Sequence, residues 1–151
     1  MKYAVSSCLL GKNCKYSGGN NRCDELLEFL ADKEYIAVCP EVLGGLPTPR
    51  PCAERQGSLV LNTEGEDVTL HFHKGANEAI RILKEFGADI VITQPRSPSC
   101  GKGIIYDGTF TNTLTSGNGI FVSALLELGI PVKTWEEFLK DNLKYDRNPL
   151  N

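Results

Sequence analysis

Short apolar runs alternate along this chain with segments whose apolar residues recur at helical spacing, and this alternation constrains the fold more than any other feature. The predicted strands are residues 3–10, 35–39, 89–93 and 131–133, and the predicted helices are residues 24–30, 74–86, 119–128 and 135–143. Alternating strands and helices, without repeats or linkers, indicate an α/β fold. We therefore predict one domain over residues 1–151, with an open, mostly parallel sheet covered by helices on both faces, as in Rossmann and flavodoxin-like folds.

Three segments between these elements have other patterns. Residues 42–56 contain two adjacent glycines and three prolines, which are incompatible with a regular helix or a central strand, so a long loop is expected. Residues 58–61 and 67–72 flank a turn centred near Gly65 and predict a small β-hairpin at the sheet edge. Residues 104–115 are rich in Thr and Gly and are also predicted as loop.

The charge and hydropathy of the chain exclude several classes of function. A formal net charge of −3 gives no basic surface for a phosphate backbone, so stable nucleic-acid binding is not expected. No run approaches the roughly 20 apolar residues of a membrane-spanning helix. The first residues enter a predicted strand without the core of a signal peptide. We expect a cytoplasmic protein with no membrane segment.

Three of the six cysteines follow predicted strands. Cys8, Cys39 and Cys100 fall at or just beyond the carboxyl ends of strands, where open α/β sheets bind their ligands. In a reducing compartment thiols serve more often as ligands or nucleophiles than as disulfides. Each of the three also stands in irregular backbone near Pro or Gly, whose free N–H groups can donate to sulfur. We predict that the three meet at one metal centre, although each alone also fits a buried small hydrophobic residue.

Three thiolates suit two kinds of centre. They leave a four-iron cluster with one iron open to an outside ligand, or they hold zinc with an open coordination position. The chain contains no CxxC pair, so it does not resemble a zinc ribbon and zinc ranks second. The other thiols, Cys14, Cys23 and Cys52, lie in predicted polar loops or at a helix start and are expected to be incidental.

Polar residues accompany the predicted centre. Glu41, two residues after Cys39, is suited to activating water or moving protons, and its alternative is a solvated loop acid. Ser97, three residues before Cys100, is suited to orienting a substrate or relaying a proton, and its alternative is a turn residue. Arg50 fits an anion site and a loop brace equally well.

A pair of histidines forms a second candidate for metal binding. His71 and His73 alternate on the predicted hairpin strand, a spacing that is typical of metal ligands. The hairpin lies away from the predicted centre, so solvated edge positions are expected for both side chains.

Four motifs carry a family resemblance: VSSCLLG at residues 5–11, CPEVLGGLPTPR at 39–50, SPSCG at 97–101 and IYDGTF at 105–110. With them the chain resembles the bacterial DUF523 proteins, which include the iron–sulfur thiouracil desulfurases. The resemblance implies that Cys8, Cys39 and Cys100 hold a [4Fe-4S] cluster and that Glu41 and Ser97 serve catalysis. Where the family reads RYDG after the first motif, residues 15–18 of this chain read KYSG.

The activity implied by the resemblance is a non-redox desulfuration of a thiolated pyrimidine such as thiouracil, which releases uracil and sulfide. The soft sulfur of this small-molecule substrate would bind the open iron, and water would attack the ring carbon with help from Glu41. A zinc-dependent hydrolase of a small ring compound and a non-catalytic cluster or sulfide carrier are the alternatives.

Overall fold

The computed structural model describes residues 1–146, which form eight strands and five α-helices. In chain order these are β1 (Lys2–Ser6), α1 (Asp24–Leu30), β2 (Glu34–Val38), α2 (Pro40–Leu43), β3 (Ala53–Gln56), β4 (Leu59–Asn62), α3 (Thr69–Phe86), β5 (Ile90–Thr93), β6 (Ile104–Tyr106), β7 (Leu114–Ser116), α4 (Ile120–Glu127), β8 (Val132–Thr134) and α5 (Trp135–Asp146). The last five residues of the predicted domain, 147–151, lie outside the described residues.

Four strands form one parallel sheet in the order β2-β1-β5-β8, which confirms the predicted architecture. The chain passes from β1 to β2 on one side and later enters β5 on the other side of β1. The strand order therefore reverses between β1 and β5, and such a switch point is where open α/β sheets bind ligands at their carboxyl ends. The remaining strands form two small antiparallel hairpins, β3-β4 and β6-β7.

Helices cover both faces of this sheet, as predicted. Ala4 and Val91 face the core that α3 and α4 close, whereas Val5 and Ile92 face the core that α1 and α5 close. Successive strand residues point to opposite faces, so a strand that is buried on both must be apolar throughout. None of the helices in the described part of the chain has the length and apolar character needed to cross a bilayer.

The predicted hairpin of residues 58–61 and 67–72 is wrong in its second strand. Helix α3 begins at Thr69 rather than at residue 74, and Phe72 is buried in the same core as Ala76 and Ala79. Phe72 between two histidines imitates the alternation of a strand, but its spacing to Ala76 and Ala79 is helical. The observed hairpin pairs β3 with β4, and the single bridge between Leu61 and Asp67 is what remains of the predicted pairing.

The segments predicted as loops contain regular structure. Residues 42–56 include the end of α2 and all of β3, and residues 104–115 include β6 and most of β7. The strand predicted at residues 3–10 ends at Ser6, because a 3-10 turn, Ser7–Leu10, follows β1. This turn contains Cys8, and Cys39 lies between β2 and α2, so both cysteines stand just beyond strand ends.

Candidate active site

A cavity of about 270 Å³ opens at the carboxyl edge of the sheet. Its lining includes the five residues that the sequence predicts as ligands or catalytic groups: Cys8, Cys39, Cys100, Glu41 and Ser97. Cys8 follows β1, Cys39 follows β2 and Cys100 follows β5. The structure thus brings these side chains to one place, and their chemical roles stay predictions.

Cys8 is held by the segment that follows its turn. Asn21 donates its backbone N–H to the Cys8 carbonyl oxygen (3.0 Å) and its side-chain amide to Cys8 Sγ (3.4 Å). Burial raises the pKa of the Cys8 thiol, the Asn21 bond opposes this rise, and the negative charges of Cys39 and Glu41 add to it.

Cys39 is the residue that caps α2. Pro40 takes the first helical position, where the missing N–H of proline leaves no hydrogen bond unmade. The neighbouring Cys14 thiol, followed by the backbone N–H of Val42, favours the thiolate of Cys39 and lowers its pKa to about 7 despite its burial. The interaction with Cys39 in turn raises the pKa of Cys14.

Cys100 is buried in the loop between β5 and β6. The first backbone N–H groups of α4 fix this loop, because they donate to the carbonyl oxygens of Pro98 (2.8 Å) and Ser99 (3.0 Å). The Ser6 hydroxyl donates to Cys100 Sγ (3.4 Å), and the Ser99 hydroxyl oxygen lies 3.7 Å from the same sulfur. Burial raises the pKa of Cys100 to about 12, against the opposing effect of these two hydroxyls.

A buried ion pair fixes Glu41. Arg50 Nε donates to Glu41 Oε1 (3.2 Å), and the Ser99 hydroxyl donates to Glu41 Oε2 (2.7 Å). The side chains of Arg50 and Glu41 are only 5% and 16% exposed, so Glu41 is not a solvated loop acid. Arg50 also donates to the Cys14 carbonyl oxygen (2.9 Å) and thus braces the loop that carries Cys14.

Ser97 contacts the backbone of its own loop. Its hydroxyl accepts the backbone N–H of Cys100 (2.8 Å) and lies 3.3 Å from the Ser99 hydroxyl. Ser99, which sequence reasoning missed, is therefore the serine that contacts the carboxylate. Its position within the SPSCG motif, next to Cys100, was the available signal.

Two of the thiols expected to be incidental also line the cavity, namely Cys14 and Cys52. No periodic pattern surrounds either residue in the sequence, so only the tertiary structure, which brings their loops to the cavity, reveals this position. Cys23 instead packs against the core beneath α1. Ser17, at the position where the sequence departs from RYDG, is exposed and is not part of the cavity lining.

The two histidines are not on a strand. His71 and His73 lie in the first turns of α3, and both are exposed. His71 Nδ1 is 2.8 Å from the Gly44 carbonyl oxygen, so this ring binds the backbone beside α2.

The donor set of the cavity fits an iron–sulfur cluster. Cys8, Cys39 and Cys100 are soft thiol donors that lie closely enough together for the charge of one to raise the pKa of another. Within the described residues, no group of three or more His, Cys, Asp or Glu side chains is close enough to share a single metal ion. A cluster binds each thiolate at a different iron, so its ligands are spread more widely than those of one zinc ion.

Comparisons with known proteins agree on one family. A family model described as 2-thiouracil desulfurase matches residues 4–137. Uncharacterized protein YbbK of Bacillus subtilis (strain 168) is 36% identical over 138 residues, which cover 85% of this chain and 91% of that protein. A solved structure described as [4Fe-4S]-dependent thiouracil desulfidase TudS is 39% identical, with a TM-score of 0.87, and the match covers 96% of this chain and 97% of that one.

Proposed function

Because this chain belongs to the 2-thiouracil desulfurase family, we propose that it is an iron–sulfur-dependent enzyme that removes sulfur from a thiolated pyrimidine such as thiouracil. The reaction is hydrolytic: water replaces the thiocarbonyl sulfur by oxygen, and uracil and hydrogen sulfide leave without net oxidation or reduction. The observation that carries the proposal is the convergence of Cys8, Cys39, Cys100 and the largely buried carboxylate of Glu41 on a single cavity. The free thiols of the site suit a reducing compartment such as the cytoplasm.

Cys8, Cys39 and Cys100 are the proposed ligands of a [4Fe-4S] cluster. When bound, such a cluster supplies an open iron to which the soft sulfur of the substrate can bind, which makes that sulfur a better leaving group. Ligand sulfurs must be deprotonated, so binding displaces the protons that burial favours on Cys8 and Cys100.

Glu41 is the proposed acid–base group. Its carboxylate takes a proton from the attacking water and returns a proton to the departing sulfur. Arg50 and Ser99 each donate to one of its oxygens, so the carboxylate is already oriented before substrate arrives. Ser97 supports this arrangement through Ser99 and through the backbone of Cys100.

The comparisons favour this activity over a zinc hydrolase or a non-catalytic carrier, because the family model and the structural neighbour both name thiouracil. The test is anaerobic reconstitution with iron and sulfide, followed by measurement of uracil and sulfide release from 2-thiouracil. We expect brown protein that releases both products in equal amounts. Colourless protein that turns over with stoichiometric zinc, or brown protein that releases neither product, would contradict the proposal.

A further inference from the structure

Gln94 stands at the topological switch point of the sheet. It directly follows β5, and its backbone N–H donates to the Ser6 hydroxyl at the end of β1 (3.2 Å). The Ser6 hydroxyl in turn donates to Cys100 Sγ. Gln94 also lines the cavity. Its backbone is therefore fixed beside the proposed cluster ligands, at the place where open α/β sheets bind small molecules.

The side chain of Gln94 carries a buried acceptor without a partner. Gln94 Oε1 is inaccessible to solvent and accepts no hydrogen bond from any described residue. Buried polar atoms in native proteins are nearly always hydrogen-bonded, because desolvation without a replacement partner is costly. The other such atom among the described residues, Thr93 Oγ1, belongs to a side chain outside the cavity lining. Of the two residues, only Gln94 lines the cavity, where a turn of its carboxamide would present Oε1 to a bound molecule.

The chemistry of this acceptor matches one edge of the proposed substrate. A carboxamide presents an acceptor and a donor side by side. A pyrimidine lactam presents the complementary pair, a ring N–H next to a carbonyl group. An acidic or hydroxyl side chain at this position would not offer both groups in the same plane.

We infer that Gln94 is a specificity-determining residue, which binds the lactam edge of the pyrimidine through a ring N–H that donates to Oε1 and a ring carbonyl oxygen that accepts from Nε2. This inference rests on the proposed function, since it names the part of the substrate that the same cavity recognises. Two contacts to one edge fix the ring in its plane and so determine which ring carbon faces Glu41. Pyrimidines that carry a methyl group on the contacted nitrogen lack the donor and are rejected.

The test uses uracil, which has the lactam edge but no sulfur to remove. Its affinity for the anaerobically reconstituted protein is measured by calorimetry, alongside 1-methyluracil and 3-methyluracil. In the wild-type protein we expect one of the two methylated compounds to bind about tenfold or more weakly than uracil, because a buried acceptor loses its partner. Equal affinity for all three compounds would overturn the inference without any variant.

Gln94→Met keeps the side-chain length and removes both polar groups. We expect this variant to bind uracil about tenfold or more weakly than the wild type does. It should also bind uracil and the methylated compound that the wild-type protein rejects with similar affinity. KM for 2-thiouracil should rise, and kcat should fall as well, because the ring is no longer held with its reacting carbon toward Glu41. The matched control is Thr93→Val, which removes the other orphan acceptor from the adjacent residue and should keep wild-type affinities. Uracil affinity within twofold of wild type in Gln94→Met, at equal iron content, would overturn the inference.

The two proposals fail in different ways. Wild-type protein that releases no sulfide but binds uracil in a Gln94-dependent manner contradicts only the desulfurase activity. Wild-type protein that releases sulfide, together with a Gln94→Met variant of unchanged KM and unchanged uracil affinity, contradicts only the role of Gln94. Wild-type protein that binds no uracil would also contradict the proposed role of Gln94 in pyrimidine binding.

Discussion

Glu41 has hydrogen-bond donors on both of its carboxylate oxygens, and this distinguishes it from a surface acid. Arg50 lies against Oε1 and the Ser99 hydroxyl against Oε2, and the pair is largely buried. A buried charge that loses its partner destabilises a protein strongly, so substitution of Glu41 affects both folding and turnover.

Glu41→Gln should lower sulfide release from 2-thiouracil by about 10²–10⁴, because it deletes the ionisable group while keeping its size. The variant should also lose unfolding free energy of the order of 3 kcal/mol, since Arg50 is left without a counter-charge. Turnover is therefore measured at matched iron content and below the melting temperature of the variant. The control is Glu64→Gln, at an exposed loop acid, which should keep full turnover. Near-wild-type turnover of Glu41→Gln would show that the carboxylate is only structural.

Cys14 influences Cys39 more than any other group does. Its hydrogen bond is the largest cause of the lowered pKa of Cys39, ahead of the backbone N–H of Val42. With a pKa of about 7, Cys39 has a much larger thiolate fraction at neutral pH than an ordinary cysteine. The thiolate population grows above pH 7 and is lost below it.

In cluster-free protein we expect iodoacetamide to alkylate Cys39 faster than Cys100, whose pKa is about 12. The rate at Cys39 should rise with pH around a midpoint of about 7. Cys14→Ala should shift this midpoint upward and slow the reaction at pH 7 several-fold, because the thiolate loses its hydrogen bond. Peptide mass spectrometry follows the rate, with Cys52→Ala as the control. An unchanged midpoint in Cys14→Ala would contradict the assigned cause.

At the scale of elements, two glycines allow α2 to pack directly on α3. A side-chain carbon on Gly75 would lie 1.7 Å from the Pro40 carbonyl oxygen, and one on Gly44 would lie 2.0 Å from the His71 carbonyl oxygen. Neither residue has room for any side chain. Because Cys39 precedes α2 and Glu41 lies within it, this backbone contact sets the position of both groups.

Gly75→Ala tests the contact by the sign of its effect. Alanine in a helix interior ordinarily stabilises relative to glycine by about 0.5–1 kcal/mol. Here we expect a loss of about 1–3 kcal/mol in unfolding free energy, and a lower iron content after reconstitution, because α2 must move. Asn77→Ala, at an exposed position of the same helix, should be neutral or slightly stabilising. A Gly75→Ala protein that is more stable than wild type and fully loaded would refute the role of the contact.

At the scale of the whole molecule, the proposed ligands join segments that are far apart in sequence. Cys8 belongs to the segment after β1, Cys39 to the start of α2 and Cys100 to the loop before β6. A cluster bound by all three is bound only by the folded chain, so its binding free energy adds to stability.

Removal of the cluster by an iron chelator should therefore lower the melting temperature. A ligand present at 100 times its dissociation constant adds about 2.7 kcal/mol, which for a chain of this size corresponds to about 5–10 °C. Calorimetry or circular dichroism under argon measures the shift. Single Ser variants of Cys8, Cys39 and Cys100 should show no shift between reconstituted and chelated samples. Cys23→Ser and Cys52→Ser should keep it. If Cys52→Ser abolishes the shift and Cys100→Ser retains it, the ligand assignment is wrong.

Some features of this fold are determined by short stretches of the sequence. The helix predicted at residues 24–30 coincides with α1, and every predicted strand of the parallel sheet is present. The start of α3 was mispredicted, because Phe72 between two histidines satisfies the period of a strand as well as that of a helix. Only burial of Phe72 against Ala76 and Ala79 selects the helix.

The sequence by itself determined the alternation of strands and helices and the placement of Cys8, Cys39 and Cys100 beyond strand ends, because hydrophobic period and backbone-breaking residues act within a few positions of one another. The tertiary structure alone decided that Cys14 lies beside Cys39, that Ser99 rather than Ser97 contacts Glu41, and that Gln94, whose amide oxygen is buried without a partner, lines the cavity. These contacts join side chains from separate loops, whose relative positions depend on the packing of the whole domain rather than on any local pattern.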